Sequence, residues 1–139
     1  MVKDLVFDKE ILSTPCEKAT AEDAEIAADL MDTFNSLDAA ACLAANQIGA
    51  TKQIIVYLDD DGQAKTMFNP RMLRALYPMK AEEECLTLEG DSKVTRFAKA
   101  NIAYDELVDG KLVARKRDFQ GNTAQAIQHM IDHCKGKLI

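Results

Sequence analysis

An α+β fold, with antiparallel sheets packed around a C-terminal helix, is what this sequence predicts, and three observations carry the expectation. Helical periodicity lies toward the two ends while strand patterns fill the middle, an order unlike βαβ alternation. Turn residues separate the strand patterns at hairpin spacing. No glycine-rich phosphate loop is present, so nothing in the chain argues for a dinucleotide fold.

The elements follow in order. Thr20 and Asp23 form a helix start, and Ile26, Leu30, Met31, Phe34 and Leu37 recur at helical spacing, so an amphipathic helix is expected over 21–37. The run QIIVYL over 53–58 is β-branched and aromatic and reads as a strand. DDDG at 59–62 is turn chemistry, which makes 65–68 the expected hairpin partner, and Asn69-Pro70 reads as a further turn. Ala100, Ile102 and Tyr104 alternate; Asp109-Gly110 turns the chain and KLVARKR returns it, giving an antiparallel hairpin. Beyond Gly121, Asn122 or Thr123 caps a last helix to about Cys134, with Ala124, Ile127, Ile131 and Cys134 in one sector and Gly136 as the stop.

At 139 residues the chain folds with enough buried surface for a core without disulfide or metal staples, and no linker tract divides it. One domain over 1–139 is expected. Seventeen Lys and Arg against 23 Asp and Glu give a net charge of −6, a field that repels phosphate backbones and anionic lipid. No nucleic-acid partner is therefore expected. The N-terminus has no apolar h-region and no apolar run approaches the roughly 18 residues of a membrane span, so no membrane association and a cytoplasmic location are expected. Cys16, Cys42, Cys85 and Cys134 are widely spaced with no CxxC pair and read as thiols.

His129 and His133 are the only histidines, and their i, i+4 spacing puts both imidazoles on one face of the last helix, able to share a metal ion. The spacing alone is equally that of two histidines four apart by chance. Three features favour a metal-binding helix: the absence of any other histidine, Asp132 beside the pair as an outer partner, and Cys85 in the turn-like EEECLTLEG as a third soft ligand. One Cys and two His leave a fourth position open, the arrangement of a catalytic rather than a structural metal.

CLAANQIG over 42–49, EEECL over 82–86 and QHMIDH over 128–133 resemble, in order, the three motifs of the peptide deformylases, usually GxGLAAxQ, EGCLS and QHExDH. The likeness extends over nearly the whole chain. It implies the deformylase fold and activity, hydrolysis of the N-formyl group of N-formylmethionyl peptides, in protein biosynthesis, through a metal-bound water. It also implies a divalent ion, Fe2+ foremost with Zn2+, Ni2+ or Co2+ as alternatives, held by Cys85, His129 and His133. By the same resemblance Gln47 and the backbone N–H of Leu86 hold the developing oxyanion. The implied partner is an N-formylated peptide or the N-terminus of a nascent chain. Since the sequence stops three residues after Gly136, the family's ribosome-docking helix is not expected.

Several positions depart from the motifs. The family's general base and acid, the Glu after the first His, is Met130, whose thioether moves no proton; such a loss forfeits about 10²–10⁴ in rate. Ala40 and Cys42 stand where the first motif has glycines, and Cys42 and Cys134 are each near a motif, Cys134 as a small hydrophobe inside the helix. Cys16 has no assigned role. Asn122 and Gln125 occupy positions where the resemblance implies an apolar methionine pocket. Glu84 replaces the Gly before Cys85 and reads either as a relocated base or as a solvated member of the acidic run. Two functions follow: a deformylase-like metallohydrolase weakened by the loss of its Glu, or a catalytically inactive metal- and peptide-binding homologue.

Overall fold

The computed structural model describes residues 1–38 and 40–139, with residues 88 and 89 described by their backbone alone. A short helix α1 (Lys9–Leu12) precedes a 3₁₀ turn (Ala21–Asp23) and helix α2 (Ala24–Asn35). Strand β1 (Cys42–Ala44) and a second 3₁₀ turn (Ala45–Ile48) follow. Then come β2 (Ile54–Leu58), β3 (Ala64–Cys85), β4 (Leu88–Val108), β5 (Lys111–Gln120) and helix α3 (Gly121–Cys134). The strands form one antiparallel sheet in the order β1-β2-β3-β4-β5, so the expected α+β architecture is found. No helix among the described residues is long and apolar enough to cross a membrane.

Strand alternation explains the core. Ile55 and Tyr57 project to one face of β2, where they meet Met67, Ile102 and Ile127 of α3. Ile54 and Val56 project to the other, against Leu30 and Phe34 of α2 and Phe68 of β3. With a helix on each side β2 is buried on both faces, which is why its sequence is an unbroken apolar run instead of an alternating one. Thr20 caps the 3₁₀ turn that leads into α2, its Oγ1 accepting from Glu22 N–H while Asp23 accepts from Thr20 N–H; α2 itself starts at Ala24 and ends two residues short of the expected Leu37.

Two expectations need correction. Asn69-Pro70 does not turn the chain; it lies inside β3 as a bulge, with register shifts between Phe68 and Arg71 and between Met72 and Arg74. Asn69 takes the left-handed conformation (φ 53°) that asparagine tolerates, and its buried amide accepts from Ala19 N–H at 2.7 Å and donates to Ala19 O at 2.9 Å and to Asp105 at 3.0 Å. Pro70, lacking an N–H, is accommodated at the irregularity. EEECLTLEG is also mostly strand: residues 82–85 end β3, and only Leu86 and Thr87 turn before β4 begins.

After α3 the chain reverses at Gly136 (φ 81°), where an added Cβ would sit 2.6 Å from the Ser13 carbonyl oxygen. The left-handed backbone and the clash add, so Gly136→Ala is expected to lower stability by about 2–4 kcal/mol, read from the midpoint of urea unfolding. An unchanged midpoint would show that residues 13–15 move away freely.

Candidate metal centre

Cys85 closes β3 and faces α3, whose His129 and His133 lie on the helix side turned toward the β3–β4 hairpin. His129 and His133 Nε2 are 3.1 Å apart, and Cys85 Sγ is 3.3 Å from His133 Nε2. All three donor atoms lie within 4.8 Å of one another, the only such cluster among the described residues. Metal bonds of 2.0–2.3 Å in tetrahedral geometry put ligand atoms roughly 3.3–3.6 Å apart. One thiol and two imidazoles at this spacing therefore fit a single divalent ion, and the residues the sequence predicts come together.

The orientation of His129 is fixed by a group the sequence reading missed. Its Nδ1 meets Glu83 Oε1 at 2.8 Å, which leaves Nε2 to face the cluster. Glu83 is itself held by Arg96, whose Nε donates to both carboxylate oxygens at 3.1 and 3.0 Å and whose Nη2 donates at 2.7 Å, and by Gln125 Nε2 at 2.8 Å. Gln125 thus serves the outer layer of the site. Asp132, expected beside the histidines, instead accepts from Arg96 Nη1 at 2.6 Å. Strand parity was the available signal: Glu83 is buried, while Glu82 and Glu84 on either side of it are exposed.

His133 is fully buried and its Nδ1 has no hydrogen-bond partner among the described residues; the same holds for Asn46 Oδ1, although Asn46 Nδ2 donates to the His133 carbonyl at 3.0 Å. These charges shift each other. Burial alone pushes the Cys85 thiol up, but hydrogen bonds from His129, His133 and Thr87 more than offset it and bring it down to about 5. Burial lowers His129, yet Cys85 and Glu83 raise it to about 9. Glu83 falls to about 2 because His129 and Arg96 outweigh its desolvation. A lowered thiol suits a metal ligand, which binds as the thiolate and releases its proton to the solvent as the ion enters.

A cavity of about 280 Å³ opens on this cluster, lined by Gln47, Glu84, Cys85, Leu86, His129 and Met130, with Ala40 and Cys42 at its wall. Gln47 follows β1 in the 3₁₀ turn, its Oε1 pinned by Ala44 N–H at 2.9 Å. Its Nε2 consequently points at Cys85 Sγ (3.4 Å) and Thr87 Oγ1 (3.2 Å). Met130 is only 2% exposed and borders the cavity beside His129, while Glu84 is exposed at its edge. Cys42 lines the wall, outside the ligand cluster; burial, with the nearby charges of Cys85 and Glu83, pushes its thiol up to about 12. Cys134 packs in the apolar cluster behind α3, as its sequence position suggested.

Because Glu83 orients a ligand, Glu83→Gln is expected to weaken metal affinity by about 10–100-fold, measured by competition with a chelator. Equal affinity would mean that His129 keeps its orientation without the carboxylate.

Comparisons with known proteins give its family and fold. The family model for polypeptide deformylase matches residues 3–139. A peptide deformylase of Clostridium beijerinckii is 36% identical over 140 residues, covering 100% of both chains. One from Aquifex aeolicus is 34% identical over 146 residues, 98% of this chain and 84% of that one. Among solved structures, the Met-Ala-Ser-bound class I type b peptide deformylase from Acinetobacter baumannii superposes with a TM-score of 0.85. It does so at 22% identity, over 99% of this chain and 97% of that one, a likeness of fold.

Proposed function

The chain belongs to the polypeptide deformylase family, and on that premise we propose that it is a single-domain cytoplasmic metallohydrolase releasing formate from N-formylmethionyl peptides at reduced rate. The observation that carries the reading is the convergence of Cys85, His129 and His133 with the amide of Gln47 on one cavity. Cys85, His129 and His133 would hold the divalent ion, Fe2+ by family resemblance, and its chemistry would be to polarise a carbonyl and lower the pKa of water.

The chain's own residues then have distinct parts. Gln47 Nε2, fixed through Ala44, offers a donor to the oxygen that gains charge as the formyl carbon becomes tetrahedral, and the Leu86 backbone N–H offers a second. Both donors are preorganised by strand and turn, so their alignment costs nothing at the moment of reaction. What the cavity lacks is a carboxylate at position 130: Met130 accepts no proton and gives none to the departing amine, and Glu83 is turned to His129 Nδ1 and held by Arg96. Glu84, which borders the same cavity, is the remaining carboxylate that can do so. Met130 is equally what favours the second reading, a homologue that binds metal and peptide without turnover.

Formate release from a formyl-Met peptide by anaerobically purified protein, with its metal content measured, tests the choice. Turnover that disappears in Cys85→Ala supports the hydrolase; a further drop in Glu84→Gln assigns the proton transfer to Glu84. One bound metal per chain with formate at the metal-free background would establish the binding homologue instead.

A further inference from the structure

The sheet divides at one end. Phe68 and Asp105 are the last pair between β3 and β4 on that side; beyond them residues 64–67 pair only with β2 and residues 106–108 only with β5. The two strand ends border a slot of about 450 Å³, within the size range of small-molecule sites. None of its lining residues belongs to the cavity at the metal centre.

One wall is apolar, made by Ala27, Ala28 and Met31 of α2 with Phe68. The other carries Tyr57, Tyr104 and Arg117. Tyr57 is 3% and Tyr104 6% exposed, and neither hydroxyl has a hydrogen-bond partner among the described residues; their rings are buried while the hydroxyls are not sealed away from the slot. Burial, reinforced by Tyr104, pushes the Tyr57 phenol up to about 12, so it stays a neutral donor. Arg117 lies 5.6 Å over the Phe119 ring with no carboxylate within ion-pair distance among the described residues. The other charges at the slot are committed: Glu106 to Arg115 at 2.9 Å, and Lys65 to Asp59 at 3.9 Å. Among the described residues its uncommitted polar groups are therefore the hydroxyls of Tyr57, Tyr104 and Thr66 and one cation beside an apolar surface.

The geometry points to a second ligand site in this slot, one that takes a small monocarboxylate with an apolar tail. The carboxylate accepts from Arg117 and from the hydroxyls of Tyr57 and Tyr104, as anions bind preferentially to charged donors. The tail lies along Met31 and Phe68. The site stands independently of the hydrolase reading.

Titration of the metal-loaded protein with 4-phenylbutanoate and with 4-phenylbutanamide, followed by calorimetry and by amide chemical shifts, tests it. The acid is expected to bind at one saturable site with shifts centred on Tyr57, Thr66 and Leu107, and the uncharged amide about tenfold or more weakly. Arg117→Gln, at an exposed position, and Tyr57→Phe, which keeps the buried ring, are each expected to weaken the acid about tenfold. Cys85→Ser leaves it unchanged. Equal binding of acid and amide, no effect of Arg117→Gln, loss of binding in Cys85→Ser, or absence of shifts at the slot at millimolar acid would each overturn the proposal, the third by assigning the carboxylate to the metal.

Discussion

Met130→Glu is expected to raise the rate of formate release from a formyl-Met peptide by about 10²–10⁴-fold, the usual contribution of a positioned general base, or roughly 3–5 kcal/mol of barrier. The position is suited to it. Residue 130 borders the cavity next to His129 on a helix fixed by packing, so a side chain there is held rather than tethered on a loop. Its burial would raise the carboxyl's pKa toward neutrality, where a group that must first take and then give a proton works best. Metal content and Michaelis constant should change little, because the thioether is not a ligand and its replacement is close in length. A variant that binds metal but gains no rate would refute the missing base as the limiting defect. Attention would then pass to the side chains of Ala40 and Cys42 on the cavity wall.

Arg96→Ala has the second large expected effect, on stability. Arg96 is 4% exposed and sits between Glu83 and Asp132, donating to both. Removing it leaves a buried carboxylate without its cation beside the Cys85 thiolate, a change that costs about 3–5 kcal/mol. The sign with pH follows from Glu83, whose carboxyl is lowered in the folded protein from an ordinary 4.5 to about 2. A depressed carboxyl stabilises above its unfolded pKa and loses that contribution as pH falls through the folded value. The gap between wild type and Arg96→Ala should therefore be full at neutral pH and narrow between about pH 4.5 and 2. Urea titrations at a series of pH values measure it; a gap independent of pH would assign the loss to packing alone.

Much of this centre could be read in the chain because its parts repeat at fixed intervals. Two histidines four apart on a helical pattern share a face whatever the tertiary fold, and Ile26, Leu30 and Phe34 mark α2 by the same geometry. Glu83 and Arg96 were hidden for the opposite reason. Glu83 stands between two other glutamates, and what separates it from its neighbours is strand parity, or its place at the Glu of the EGCLS motif. Arg96 reaches it across the β3–β4 pairing, where Met79 is its register partner, and no local spacing announces that register. Asn69-Pro70 misled because the turn signal is genuine backbone chemistry, spent on a bulge whose asparagine is held by Ala19 and Asp105, far away in sequence.

The partition of the interior by β2 bears on how such a protein diverges. The apolar side chains that support α3 behind the metal cavity lie on one side of the sheet, and those that seat α2 lie on the other, with Ala40 of the cavity wall touching the second group. Changes on the two sides share few partners, so their costs add instead of compounding. A substitution at residue 130 can thus change the metal cavity without disturbing Leu30, Phe34 or the packing of α2. Drift in chemistry and persistence of shape are, in this architecture, separately heritable.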